Sequence, residues 1–101
     1  MNRKFEAEIC WISEKHGGRK NIPFSDKYAP IIKIANPLFE SYDYWSIFVF
    51  NKKELCKNKT LADIEYLSDV APDNLSAGVE FVLYEGQKKV ASGVVLRETF
   101  Y

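Results

Sequence analysis

Phe5, Ala7, Ile9 and Trp11 fall on one face of an alternating segment, and Glu6 and Glu8 fall on the other. A period of two buries one face of an extended chain and wets the other, so Phe5 to Ile12 is predicted to be a half-buried strand. Pro30 opens a second short strand, Ile31-Ile32-Lys33-Ile34, limited on its N-terminal side by a ring that cannot donate to a ladder. Trp45 to Phe50 is β-branched and aromatic and reads as a third, with at least one deeply buried face. Leu61 to Leu67 fits two templates. Leu61, Ile64 and Leu67 recur at helical spacing, whereas Ala62, Ile64 and Tyr66 alternate with Asp63 and Glu65. The alternating charge and the neighbouring strands favour β. Val79 to Tyr84 and Lys89 to Leu96 are two further strands joined by Glu85-Gly86-Gln87-Lys88, a glycine beside an acidic residue between apolar runs, which is a strong hairpin signal.

Between these segments lie the punctuating residues. Ser13 to Asp26 is polar, holds Gly17-Gly18 and Pro23, and reads as a long connection or a loosely paired hairpin arm. Asn51-Lys52-Lys53 is expected to turn the chain, and Ala71 to Gly78 to form a turn-rich loop. Leu38 to Tyr44 carries three aromatics after Asn36-Pro37 and matches no single template. No long amphipathic helix or internal repeat interrupts the pattern. About six short strands therefore imply an all-β fold, a small antiparallel barrel or sandwich, and closure into a barrel would leave no open sheet edge.

The 101 residues fit one compact domain, because no Pro/Gly/Ser-rich stretch divides them. With 47 % hydrophobic and 15 % aromatic residues, the chain can bury a core without metal or disulfide, which excludes disorder. Fourteen basic residues balance fourteen acidic ones. Net neutrality argues against a dedicated nucleic-acid binder, whose affinity comes largely from neutralising phosphates. A local exception is the stretch Asn51 to Lys59, where Lys52, Lys53, Lys57 and Lys59 face a single Glu54. It is read as a solvated hairpin loop or, alternatively, as an RNA-binding patch. Met1-Asn2-Arg3-Lys4 leads directly into a strand with no apolar leader, and no run is long enough to span a bilayer, so a cytoplasmic protein with no membrane partner is expected. Cys10 and Cys56 lack CxxC spacing and are expected to be reduced, partly buried thiols, with a disulfide as the alternative.

Little in the chain resembles catalytic machinery. His16 is the sole histidine and sits beside the Gly17-Gly18 turn, so a multi-histidine metal site is excluded and at most one imidazole base remains. Ser13, Ser25 and the cysteines lack a nucleophile-elbow context such as GxSxG. Glu6/Glu8 and Asp63/Glu65 lie two apart on strands, as an outer polar face requires. A phosphate-cradling GxxxxGK[ST] loop is missing, so neither enzyme activity nor a nucleotide or other cofactor is expected.

The two ends of the chain together carry a family likeness. FEAEICWISEKHGGRKNIPFSDKYAPIIKI from Phe5 and GVEFVLYEGQKKVASGVV from Gly78 resemble, in order and spacing, the first and last strands of the third, C-terminal β-barrel domain of elongation factor Tu. There a phenylalanine-led strand enters a Gly-Gly-Arg loop, a Pro-Phe step and a Tyr-x-Pro, and a Glu-Gly hairpin precedes a valine-rich strand carrying a glycine, here Gly93. The likeness covers about half of the chain and implies a closed six-stranded barrel standing without the GTPase that normally precedes it. The middle of the chain departs from the family, with Phe39 to Trp45 and the lysine-rich stretch in place of segments rich in Gly, Thr and Pro.

The family domain contacts aminoacyl-tRNA, a nucleotide exchange factor and its own GTPase domain. Two family positions that help hold tRNA are Ala29 and Ile31 here, and neither an alanine nor an isoleucine can pair with phosphate or ribose, which weakens the RNA expectation. Arg19 and Glu85 are retained. For Arg19 the alternatives are a loop-locking salt bridge and a partner contact. The resemblance thus implies a binding module that contacts a protein through Arg19, Lys20, Tyr28, Glu85 and Lys88, with RNA binding through Lys52, Lys53, Lys57 and Lys59 or an accessory, immunity-like mimicry of the elongation factor as alternatives. Surplus aromatics, Phe39, Tyr42, Tyr44, Trp45, Phe100 and Tyr101, are candidate interface anchors or a second layer of core.

Overall fold

A computed structural model describes residues 4–24, 28–36, 41–68 and 75–99. Six strands form: β1 (Lys4–Trp11), β2 (Ile31–Asn36), β3 (Ser41–Cys56), β4 (Lys59–Tyr66), β5 (Glu80–Glu85) and β6 (Lys88–Thr99). All pairs are antiparallel, and the order β1-β4-β3-β2-β5-β6 returns to β1, so the sheet closes on itself as a barrel. The expected all-β closed barrel is the fold observed. No helix among the described residues is long and apolar enough to cross a membrane.

Closure depends on two long strands that change partner along their length. Ser41 to Ser46 of β3 pair with β2, and Ile47 to Cys56 pair with β4. β6 likewise pairs with β5 over Lys88 to Val94 and with β1 over Ala91 to Thr99. Bulges supply the bending that such strands need, since an extra residue on one strand increases local twist. Val90 is the extra residue against β5, which explains why Val90 and Ala91 are buried side by side in an otherwise alternating strand. Leu96 is the extra residue against β1 and points outward.

The alternation read from the sequence is the alternation of the core. Phe5, Ala7, Ile9 and Trp11 meet Ile32, Ile34, Ile47, Val49, Ala62, Ile64, Phe81 and Leu83 inside the barrel. Leu61 to Tyr66 is strand, with Ala62 and Ile64 buried. Gly93 faces inward opposite Phe81, and a β-carbon there would lie 2.5 Å from the Phe81 ring and 2.7 Å from the Glu8 carbonyl oxygen. A side chain at this position would displace the phenylalanine that fills the core.

Two expectations need correction. The turn predicted at Asn51-Lys52-Lys53 is strand: β3 continues to Cys56, and the chain reverses at Lys57-Asn58, where Asn58 adopts a positive φ of 63°. Lys52 and Leu55 are instead bulged residues opposite β4. The polar, lysine-rich composition of 51–53 mimics a turn because Lys52 and Lys53 project from a twisted hairpin. Cys10 and Cys56 are free and exposed, not partly buried, because the same alternation that buries Ile9 and Trp11 turns Cys10 outward. They flank Lys59 from opposite sides, with β4 between them. Two strand spacings, about 9.5 Å, exceed the reach of about 7 Å between Cα atoms that a disulfide tolerates. Trp45 is half-buried and packs against the core beside Tyr66, at 6.1 Å between ring centroids. The conformation of 38–40, the loop at 71–74, and Ser25, Phe39, Phe100 and Tyr101 lie outside the described residues.

Candidate functional site

One end of the barrel gathers the loop after β1, the β3–β4 turn and the β5–β6 hairpin. Glu14–His16 form a single 3-10 turn that ends at Gly17, whose φ of 91° suits glycine. Gly18 is required for a different reason: a β-carbon there would sit 1.7 Å from the Ile12 carbonyl oxygen. The two glycines fold the loop back on itself, with Gly18 N–H donating to the Ser13 carbonyl at 2.8 Å, and deliver Arg19 towards the hairpin.

Arg19, Tyr28 and Glu85 converge there. The Arg19 guanidinium pairs with Glu85 Oε2, and the Tyr28 hydroxyl donates to the same oxygen at 2.5 Å. The guanidinium also lies over the Tyr28 ring at 4.7 Å, and Tyr28 packs on Trp11 at 5.8 Å between centroids. Tyr28 enters through Val49 N–H, which donates to its carbonyl at 2.9 Å. Burial pushes the Glu85 carboxyl up, but the hydrogen bonds from Tyr28 and Arg19 outweigh it and hold the group below its ordinary value. Burial and the bond to Glu85 raise the Tyr28 hydroxyl strongly. Each polar group in the cluster thus has its partner within the cluster. Of the sequence-predicted site residues, these three are brought together; Lys20 and Lys88 are exposed at the same end, Lys88 opposite Glu85 in the hairpin register. Ser13 Oγ and His16 Nδ1 lie 2.9 Å apart, an exposed contact three residues apart across the 3-10 turn.

A buried chain of hydrogen bonds anchors this loop to the barrel wall. Trp11 Nε1–H donates to Thr60 Oγ1 at 2.8 Å, Thr60 donates to Asn51 Oδ1 at 2.6 Å, and Asn51 Nδ2 donates to the Pro23 carbonyl at 2.6 Å. Thr60 is the one buried polar side chain among the described residues.

The lysines proposed for RNA are divided. Lys52 reaches Glu6 at 2.6 Å and Asp63 at 3.2 Å, and Lys59 reaches Glu8 at 3.1 Å, so both ammonium groups are already partnered by strand carboxylates. The hydrogen bond to Glu6 raises Lys52 above its ordinary value, and the bond from Lys52 lowers Glu6. Lys53 and Lys57 are exposed.

A second surface lies on the outer wall where β3, β2 and β5 adjoin. Tyr42 and Tyr44 are 56 % and 58 % exposed. Lys33 of β2 lies beneath them, its Nζ 4.1 Å from the Tyr42 ring centroid and 5.9 Å from those of Tyr44 and Tyr84. Alternation within Ile31 to Ile34 already turns Lys33 outward, but its contacts with Tyr84 and its pairing opposite Val82 join positions about fifty apart, which no local pattern discloses. Lys33 and Tyr84 were therefore not among the residues singled out from sequence.

No known protein family matches the chain, and no curated protein is significantly similar to it.

Proposed function

We propose that the protein is a non-enzymatic, cytoplasmic binding module whose barrel, similar to the third domain of elongation factor Tu, contacts a protein partner. The observation that carries this reading is the pair Tyr42 and Tyr44, more than half exposed on a strand whose pairing with β2 fixes their direction. Rigid tyrosines give contact area at little entropic cost and are recurrent anchors of protein interfaces. The Arg19, Tyr28 and Glu85 cluster serves this surface indirectly, by fixing the loop and hairpin that close the barrel. Recognition of RNA has less support, because Lys52 and Lys59 are neutralised in place and Ala29 and Ile31 occupy the tRNA-contacting positions of the resembled family.

A photoreactive phenylalanine at position 44, with position 53 as the control, tests the proposal in cells. A protein joined specifically from position 44, identified and then reconstituted from purified components, should lose affinity at least about tenfold on Tyr42→Ala/Tyr44→Ala. No crosslinked protein from position 44, or binding indifferent to both tyrosines, would remove it.

A further inference from the structure

Two cross-strand rows continue outward from the tyrosines. Tyr44, Lys33, Val82, Ser92 and Cys10 lie opposite one another across five strands; beside them Tyr42 lies opposite Ala35, and Glu80, Val94 and Glu8 lie opposite one another across β5, β6 and β1. Small side chains, Ala35, Val82, Ser92 and Val94, recur within the two rows, and the long Lys33 and Glu80 stand among them. The result is a groove of about 490 Å³, floored by Ala35, Val82 and Val94 and bordered by Tyr42, Lys33 and Glu80.

Its charges are arranged rather than uniform. Among the described residues the contacts of Lys33 are all aromatic, which holds its ammonium at one side of the groove without neutralising it. Glu80 is exposed on the neighbouring strand, diagonal to Lys33, since Lys33 lies opposite Val82. Diagonal cross-strand neighbours are separated by about 7 to 8 Å, and side chains two apart in an extended peptide project to one side about 7 Å apart. From this match we infer that the groove binds an extended segment of a partner protein that carries an acidic and a basic side chain two positions apart and an apolar side chain over Val82 and Val94. The acid meets Lys33, and the base meets Glu80. A polyanion such as RNA fits less well, because Glu80 lines the same groove beside Lys33 and would repel phosphate.

This inference rests on the protein-binding reading and adds the chemistry of the partner. Its test needs no native partner: random decapeptides displayed on phage are selected on the purified protein, and the winning sequences are synthesised and titrated while amide chemical shifts are followed. The expected winners carry the acid-x-base pattern beside an apolar residue, shift the amides of β2, β5 and β6, and weaken about tenfold with Lys33→Glu or Glu80→Lys. In the Lys33→Glu/Glu80→Lys variant, a peptide with the two charges exchanged should regain binding. Folding of each variant is checked by its amide spectrum, and a variant that fails is replaced by Lys33→Gln or Glu80→Gln, for which the same loss is expected. Winners that bind elsewhere or ignore Lys33 and Glu80, a library that yields none, preference for single-stranded oligonucleotides over peptides, or self-association of the chain through the groove would each overturn the inference. The crosslinking result from position 44 would stand through any of the first three, so the two readings fail separately.

Discussion

Replacing Thr60 by valine removes one oxygen from the centre of the molecule while keeping nearly the same shape. The hydroxyl accepts from Trp11 Nε1 at 2.8 Å and donates to Asn51 Oδ1 at 2.6 Å, and Thr60 is 0 % exposed. In the variant the indole N–H is left inside the barrel without an acceptor, and orphaning a buried donor costs about 1 to 3 kcal/mol. Asn51 is only half-buried, so water can satisfy its carbonyl and its loss adds little. The new methyl group returns up to about 0.8 kcal/mol of burial. The central values leave a net loss of about 1.5 kcal/mol, which for a chain of this size lowers Tm by roughly 6 to 12 °C. Urea unfolding followed by tryptophan fluorescence measures it directly, with an unchanged m value expected. The decisive arm is the cycle with Trp11→Phe. Once the indole N–H is gone, Thr60→Val should cost much less, because replacing both partners by apolar groups leaves nothing unpaired. An effect of Thr60→Val below about 0.5 kcal/mol, or one of equal size in both backgrounds, would refute the assignment of this hydrogen-bond chain as the anchor of the loop.

Other consequences can be measured on the same protein. Gly93→Ala drives a β-carbon into Phe81 and the Glu8 carbonyl, so a loss of about 1 to 3 kcal/mol in urea unfolding is expected, with Phe81→Leu partly relieving it. Glu85 binds protons less readily in the fold than when unfolded, so its contribution to stability is fully present above its ordinary value near 4.5 and is lost as pH falls through the lower folded value; Glu85→Gln should flatten the acid limb of Tm against pH. Tyr28 has the opposite sign: its hydroxyl is raised, so its contribution is present below the ordinary value of 10 and declines above it, and Tyr28→Phe should remove part of the alkaline loss. With Lys52 and Lys59 already ion-paired, fluorescence anisotropy with tRNA at low salt should show no binding tighter than about 10⁻⁶ M, and Lys53→Gln/Lys57→Gln should change nothing.

How far the chain could be read in advance follows from the range of each interaction. Alternation is local, so Phe5, Ala7, Ile9, Trp11, Ala62 and Ile64 were legible as core before any pairing was known. The Glu85 to Lys88 hairpin was legible for the same reason. Bulges are not local, because an extra residue is defined only against the strand opposite. The bulge at Lys52 therefore passed for a turn at Asn51-Lys52-Lys53, and the inward step at Val90 and Ala91 broke an alternation that the sequence could not repair. Exposed cysteines fall in between. Alternation alone turns Cys10 outward, and only the general tendency of cysteine to be buried argued otherwise.

The same distinction separates the two candidate surfaces and bears on the family resemblance. Gly18 is held by contact with Ile12, Gly93 by contact with Phe81, and Arg19 and Tyr28 by one oxygen of Glu85, so these motif residues each have a mechanical task in the loop, the hairpin or the barrel wall. Residues with such tasks persist in a barrel whatever it binds, and they inform about architecture more than about partners. Tyr42, Tyr44, Lys33 and Glu80 have the reverse character: none of them fills the core, and they lie on the outer wall of strands β2, β3 and β5. Specific contact with a partner needs groups that the scaffold can spare, and this wall is where the described chain spares them. On the proposed reading, the task of this protein should be sought on the wall of β2, β3 and β5 and not in the loop and hairpin that Arg19, Tyr28 and Glu85 hold together.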